Sequence, residues 1–369
     1  MSKIKVLQWH LTDIPGGVSE YMLNNLKYID KDKIETDFIF VGNNSEQYLD
    51  RIGSTKRIKT VRSAAENRDA FFEDMNNLFR NGGYDAVHFN TSYWAGHELE
   101  KMARDNNIPQ IIVHSHSTRI DIENEERRRK AEENHEIKKA EFSIYLATDF
   151  CACSHLAADW LYGPQIPRDK IKILNNAINV EKYLFNRQIR EKYRHELGVE
   201  DSYVIGNVAR MSHQKNHEFL LDVFAEVCNT IDNAKLLLVG NGPLENEIRR
   251  KTKLLGLLDK VIFAGHRNDV SNIMQAMDVF CLPSRFEGLP IVLVEAQSAG
   301  LECIASDQIT NEVCITDNIH QLPFCIESWA TLLSEIAKGY KRENMYDIIT
   351  EKGYNIKYQI NIVEKLYQK

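Results

Sequence analysis

The chain has 369 residues, 43% of them hydrophobic and 27% charged, with a formal net charge of −7. That balance is ordinary for a soluble enzyme, gives no basic surface that would point to nucleic acid as a partner, and at this length predicts two domains of about 150 to 200 residues each. No window approaches the roughly 18 uninterrupted apolar residues of a membrane span, and the opening MSKIKVLQWHLTD has no apolar signal core, so the expected location is the cytoplasm.

In the first half, strand-like runs KIKVLQW, ETDFIFVG, DAVHFN, PQIIVHS and DFCACS alternate with helical patterns such as Val18, Tyr21, Met22 and Leu26. This alternation predicts a parallel sheet with crossover helices. After the first run, DIPGGVSEYM puts Gly16 and Gly17 at a helix start, where a backbone without Cβ lets a ligand approach the N–H groups; a plain tight turn explains the pair equally well. The spacing is not G-x-G-x-x-G, so a dinucleotide cofactor has no support and none is expected. The one D-x-D, DKD at 30–32, lies in a polar stretch and reads as a solvated loop, so no metal site is expected.

RIDIENEERRRKAEENHEIKKAEF, residues 119–142, interrupts the alternation; residues 119–139 hold seven Lys or Arg and seven Asp or Glu, which predicts a solvated helix laced with i,i+4 pairs. Cysteines fall at 151, 153, 228, 281, 303, 314 and 325, an odd and scattered set that suits a reducing compartment, with Cys151 and Cys153 expected as core thiols. Pro164 and Pro167 break the helical pattern in LYGPQIPRDKIKILNNAINVEKYLFN, and a hinge is expected at about residues 175 to 185.

The second half repeats the rhythm with YVIGNVA, KLLLVG, KVIFAG, DVFCLPS and LECIAS, separated by patterns such as Val270, Ile273, Met274 and Met277. The predicted fold class is α/β, two doubly wound Rossmann-like domains facing across a cleft, each placing ligands at the C-terminal ends of its strands.

Two of these strand ends carry chemistry. In GNVARMSHQKNHEFLL, Arg210 and Lys215 follow a strand and precede an amphipathic helix, a placement suited to a diphosphate. In CLPSRFEGLPIVLVEAQSAG, Pro290 suits the first position of a helix running to Ser298, so Glu287 lies in the loop before it, with the N–H groups of Gly288 and Leu289 open to a ligand and Glu295 inside the helix. Each carboxylate can accept two hydrogen bonds from a vicinal diol, and a nucleotide sugar offers one diol on the sugar and one on the ribose. A helix-dipole role for Glu287 and a surface role for Glu295 would explain either acid alone, but not the pair together with the upstream cations.

EGLPIVLVE resembles the E-x7-E motif of retaining GT-B glycosyltransferases of family 4, and its surroundings agree. Arg210 and Lys215 resemble the family's donor-diphosphate pair; VGNGPLE, with Gly242, resembles its G-x-G-P turn; FAGHRNDV, with Arg267, resembles its nucleobase loop; and PGG at 15–17 resembles its N-terminal glycine loop. IIVHSHST and ILNNAIN are similar to the branch that builds capsules and exopolysaccharides. Two stretches depart from the pattern: the hinge lacks Asn-Gly, and IASDQITNE lacks a glycine pair, so no role passes to Thr310 or Glu312.

The resemblance implies that Glu287 contacts the donor sugar, Glu295 the ribose, and Arg210 with Lys215 the leaving diphosphate. His116, with His114 as the alternative, would reach the sugar from the N-terminal domain. It also implies a metal-independent, retaining transfer of a hexose or N-acetylhexosamine from a nucleotide sugar, a UDP-sugar by preference, to a saccharide acceptor, lipid-linked by preference. The expected domains are an acceptor-side domain over 1–178, a nucleotide-sugar domain over 179–353 and a C-terminal helix over 354–369 that packs back on the first. That last segment has Ile356, Ile360, Val363 and Tyr367 along one face, and a peripheral contact with the membrane is its alternative use. Other functions compatible with the fold are a non-hydrolysing nucleotide-sugar epimerase and a non-catalytic nucleotide-sugar sensor.

Overall fold

The computed structural model describes residues 3–13, 16–42 and 44–368. The chain divides into two units: residues 1–120, 124–176 and 356–369 form the first, and residues 121–123 with 177–355 form the second.

The first unit is built on a seven-stranded parallel sheet of β1 (Ile4–Thr12), β2 (Ile34–Val41), β3 (Ile58–Val61), β4 (Ala86–Thr91), β5 (Gln110–Ser115), β6 (Asp149–Ala152) and β7 (Ile171–Ile173), in the order β3-β2-β1-β4-β5-β6-β7. The second has a six-stranded parallel sheet of β8 (Tyr203–Val208), β9 (Ala234–Val239), β10 (Val261–Gly265), β11 (Val279–Leu282), β12 (Glu302–Ser306) and β13 (Ile319–Leu322), in the order β10-β9-β8-β11-β12-β13. The order reverses between β1 and β4 in one sheet and between β8 and β11 in the other, which opens the crevice where such sheets bind ligands.

The central strands are near-continuous apolar runs because helices cover both faces. In the second unit Ile205, Leu236, Leu238, Val279 and Ile304 share a core with Leu221, Phe224 and Trp329 of flanking helices, all at most 1% exposed. Each such side chain contributes about 1.5–3 kcal/mol on burial. Gly206 in β8 faces Met277, whose side chain a Cβ there would overlap, so glycine lets the segment before β11 lie close on the strand.

Three strands escape the sequence patterns: β3, β7 and β13, each at a sheet edge and only three or four residues long. An edge strand is half exposed, so its apolar run is broken by residues such as Lys59, Lys172 and Gln321.

The last helix, Ile356–Tyr367, belongs to the first unit, where Ile360, Val363, Leu366 and Tyr367 join a core with Val6, Ile34, Ile112 and Leu174. Ile356, Ile360, Val363 and Tyr367 are all buried, so the apolar face considered for the membrane is taken up by the protein's own core. Among the described residues, no helix is long and apolar enough to cross a membrane.

The charged segment also differs from expectation. Its helix spans only Glu125–Glu141, capped by the Asn124 side chain, and the residues before it are not helical. The i,i+4 pairs Lys130–Glu126 (2.6 Å) and Arg129–Glu133 (3.0 Å) form on its outer face. Its other face buries His135 completely, because the Trp94 backbone N–H donates to Nδ1 and the Trp160 ring stacks on the imidazole. All seven cysteines are free; Cys151, Cys153, Cys281 and Cys303 are buried, whereas Cys314 is exposed.

Candidate active site

The loops that follow β8 and β11 leave the second sheet on either side of its reversal point, and the candidate residues lie on them. After β8 the chain makes a short 3₁₀ turn, His213–Lys215, and then reverses at Asn216, whose φ of 53° is left-handed. Asparagine tolerates that conformation through its short polar side chain. Arg285, on the loop after β11, holds it there: its guanidinium donates to Asn216 Oδ1 at 2.7 Å and to the His213 carbonyl at 3.2 Å, and its N–H donates to the Gln214 carbonyl at 2.8 Å.

The two loops share a polar network. Lys215 Nζ lies 2.5 Å from Glu287 Oε1, and Gln214 Nε2 donates to the other Glu287 oxygen at 3.3 Å and to the Phe286 carbonyl at 2.9 Å. Arg210 donates to Asp121 Oδ2 at 2.5 Å, while the Gln214 backbone N–H donates to Asp121 Oδ1 at 3.2 Å. Arg210, Asp121, Gln214, Glu287 and Lys215 thus form one chain of contacts within the second unit. The cations that the sequence placed ready for a diphosphate each hold a carboxylate instead.

Glu287 is 6% exposed, so the acid lies inside the loop. Pro290 is the cap of the helix Ile291–Ser298, one position before its first residue, because its ψ of 108° is extended. Gly288 and Leu289, read from the sequence as open, already take part in interactions. Glu295 is half-buried in that helix, and the Tyr183 hydroxyl donates to its Oε1 at 2.5 Å.

Gly242 buttresses the arginine loop. A Cβ on Gly240 or Gly242 would strike the carbonyl of Ala209 or Met211, and the turn is tied down by Met211 N–H to the Asn241 carbonyl (2.9 Å) and Leu244 N–H to the Met211 carbonyl (3.0 Å). Backbone packs on backbone here, which only glycine permits. Arg267 is gripped by Asp269 through two hydrogen bonds of 2.7 and 2.6 Å, and Tyr193 donates to the same carboxylate at 2.6 Å. Arg267, followed by Tyr193, holds the Asp269 carboxyl down at about 2.

The remaining candidates belong to the first unit. Gly16 caps the helix Gly17–Tyr28; both glycines are exposed, and a Cβ on either would meet nothing within 4 Å. Pro15 of the PGG motif lies outside the described residues.

His114 on β5 is fully buried, whereas His116 just beyond the strand is half-buried. A hydrogen-bond chain fixes their neighbours: Gln8 Nε2 donates to Tyr367 Oη (2.8 Å), Tyr367 Oη contacts His88 Nδ1 (2.7 Å), and His88 Nε2 contacts His114 Nδ1 (3.2 Å). Asn90 Nδ2 donates to Gln8 and to the Trp9 carbonyl, each at 3.0 Å, so Asn90 Oδ1 is the acceptor 2.9 Å from His116 Nε2. His116 Nε2 therefore carries the proton and Nδ1 a lone pair. Burial holds His116 down at about 3, with His88 a second cause, so it stays neutral near neutral pH.

Sequence reasoning missed Asp121, Gln214, Arg285, Tyr183 and Asn90, and read Tyr367 only as part of an apolar face and not for its hydroxyl; their partners lie up to hundreds of residues away and follow no local spacing. Among the described residues, no group of three or more His, Cys, Asp or Glu is placed to hold a metal ion.

Comparison with known proteins identifies the family and the fold. Residues 15–182 match the family described as Glycosyltransferase Family 4, and residues 189–356 match the one described as Glycosyl transferases group 1. The chain is 30% identical over 366 residues to EpsF of Bacillus subtilis, covering 95% of this chain and 93% of that one. It is 28% identical over 213 residues, 54% of each chain, to an Escherichia coli enzyme named UDP-Gal:alpha-D-GlcNAc-diphosphoundecaprenol alpha-1,3-galactosyltransferase. In fold it is similar to HepE of Anabaena, solved with UDP and glucose, with a TM-score of 0.78 at 16% identity over 99% of this chain and 100% of that one. A glycosyltransferase from Rickettsia africae superposes with a TM-score of 0.77 at 16% identity, covering 100% of this chain and 98% of the other. With both halves matched and a full-length relative at this identity, the chain belongs to the GT-B glycosyltransferases of family 4.

Proposed function

We propose that this glycosyltransferase takes a hexose or N-acetylhexosamine from a nucleotide sugar, by preference a UDP-sugar, and adds it with retention to a lipid-linked saccharide during cell-surface polysaccharide synthesis. The observation that carries the reading is the single network of Arg210, Gln214, Lys215 and Glu287 on the two loops that flank the reversal of the second sheet. Arg210 and Lys215 are the cations for the donor diphosphate, Glu287 the acceptor of sugar hydroxyl protons and Glu295 of ribose hydroxyl protons. Gly288, Leu289, Gly242 and Arg267 shape the donor site around them, and Gly16 and Gly17 are offered as backbone donors. His116 rather than His114 is assigned to the sugar, because it is the less buried of the two and its Nδ1 lone pair can accept a hydroxyl proton.

Departure of the nucleoside diphosphate builds negative charge beside those two side chains, which stabilise it without a metal ion. In the proposed front-face route the sugar C1–O bond to phosphate breaks, the acceptor oxygen bonds to C1 on the same face, and its proton passes to the departing phosphate oxygen. The lipid-linked acceptor is favoured by the Escherichia coli relative's printed substrate and by a Campylobacter jejuni relative, 29% identical over 149 residues, named as a diphospho-undecaprenol N-acetylgalactosaminyltransferase. Work on such an acceptor would take place in the cytoplasm with peripheral contact at the membrane, which flotation with anionic vesicles tests.

Purified protein with EDTA and a panel of UDP-, GDP- and ADP-sugars, with and without undecaprenyl-diphosphate-GlcNAc, is the direct assay. Consumption of one donor with an α-linked product supports the reading. Solvent deuterium entering the sugar at C2 points instead to the epimerase, and binding without turnover under every condition points to the sensor.

A further inference from the structure

We propose that Asp121 is an internal phosphate mimic: its carboxylate holds the donor groups that receive the nucleotide diphosphate, and the incoming diphosphate displaces it. The inference rests on the donor reading above and adds to it a residue that sets how tightly nucleotide is held. One Asp121 oxygen lies 2.5 Å from the Arg210 guanidinium and the other accepts the Gln214 backbone N–H at 3.2 Å. One guanidinium and one backbone N–H, taken by two oxygens of one anionic group, is the pattern of charge-assisted contacts that a phosphoryl group makes.

Three features separate this contact from an ordinary structural ion pair. Asp121–Glu123 groups with the second unit, while Ile120 and Asn124 on either side group with the first. Asp121 adds no strand or helix to that unit, since the helix of its own segment begins only at Glu125. The pair is also open to solutes: the Arg210 side chain is 38% exposed and that of Asp121 21%, against 17% and 8% for Lys215 and Glu287. An ion pair that open is weakly held and screened by salt. Glu287 stays as a sugar contact, whereas Asp121 is the carboxylate that gives way.

The consequence is a ceiling on nucleotide affinity. Diphosphate and carboxylate repel each other across Arg210, so Asp121 weakens the hold on donor and, after transfer, returns to Arg210 as the nucleoside diphosphate leaves.

Isothermal titration of wild type, Asp121→Asn and Arg210→Ala with UDP, GDP, ADP and the matching nucleosides tests this. Asp121→Asn is expected to bind the preferred nucleoside diphosphate about tenfold more tightly, with nucleoside binding unchanged, because only the phosphates compete with the carboxylate. A merely structural role would weaken both ligands or neither. Unchanged or weaker diphosphate binding by Asp121→Asn overturns the proposal, as does equal tightening of the nucleoside, or no binding by any form. Arg210→Ala separates the two levels: if it binds diphosphate as wild type does, the donor assignment itself fails, and if it loses binding while Asp121→Asn gains none, only the mimic fails. Asp121→Ser is the second variant should Asp121→Asn not fold.

Discussion

Lys215 Nζ and Glu287 Oε1 are 2.5 Å apart in a loop pair largely closed to solvent, with Glu287 6% exposed. Two residues assigned from the sequence to different parts of the donor are therefore one electrostatic unit, and each fixes the position and charge of the other. Removing the lysine alone leaves the buried carboxylate without its counter-charge, a loss of about 3 kcal/mol, whereas removing both charges together is far milder. Lys215→Met is accordingly expected to lower unfolding stability by about 3 kcal/mol, and Lys215→Met with Glu287→Gln to recover most of it. Urea unfolding of wild type, Lys215→Met, Glu287→Gln and the double variant measures this; strictly additive losses would show that the pair is not coupled.

Arg210 should matter to chemistry more than to folding, since its side chain is 38% exposed. Losing one charge-assisted contact costs about 2 kcal/mol, so Arg210→Ala is expected to lower kcat/KM roughly 30-fold with little change in Tm. Arg210→Lys keeps the charge without the planar fork and should recover only part of the loss. Steady-state kinetics decide, and an Arg210→Ala enzyme of normal turnover removes the assignment of Arg210 to the donor diphosphate.

Tyr183 donates to Glu295 at 2.5 Å and positions the carboxylate assigned to the ribose. Tyr183→Phe deletes that one hydroxyl. Its expected effect is a rise of about five- to tenfold in donor KM at nearly constant kcat, the size of one hydrogen bond. An equal fall in kcat would place the pair in the chemical step instead.

His88 and His114 are both 0% exposed, and burial pushes His88 down to about 3 and His114 well below its ordinary value. The unfolded chain binds protons at these residues near pH 6.5 while the folded one refuses them, so stability is complete above about 6.5 and is lost as pH falls toward 3. Each histidine contributes a slope of up to about 1.4 kcal/mol per pH unit in that window. Denaturant unfolding at pH 7.5, 6.0 and 5.0 should show the loss, and His88→Gln should flatten part of the slope; an unchanged slope in that variant would mean His88 titrates normally when folded.

Tyr367 links the last helix to the first sheet, accepting from Gln8 at 2.8 Å and meeting His88 Nδ1 at 2.7 Å. Tyr367→Phe keeps the ring but leaves two buried polar groups without that partner, which is expected to cost about 2 kcal/mol. Thermal unfolding reads it; a variant as stable as wild type would mean the network tolerates the loss.

Much of the fold was legible because its pattern is local. The apolar runs of β1, β2, β4, β5 and β6, and of β8, β9, β11 and β12, show in the sequence because strands covered on both faces must be apolar throughout, and the edge strand β10 keeps a run in VIFAG although most of it is only partly buried. The edge strands β3, β7 and β13 carry no such run and were invisible. Glu287, Glu295, Arg210 and Lys215 were legible from turns and spacing, since a strand end followed by a helix start is a local event.

What the sequence determined by itself is thus the alternation, the two halves, the family and the residue types at the two strand ends, all of which rest on contacts between near neighbours in the chain. Only the tertiary structure decided that Lys215 is bound to Glu287, that Asp121 meets Arg210, that His114 is fully buried while His116 is partly exposed, and that the last helix gives its apolar face to the first unit's core and not to a membrane. Those partners lie 72, 89 and more positions apart, and no spacing rule encodes them. The physical reason is that a charge or a hydrogen-bond donor requires a partner without specifying which; the choice is made when the sheet reverses and brings distant loops together.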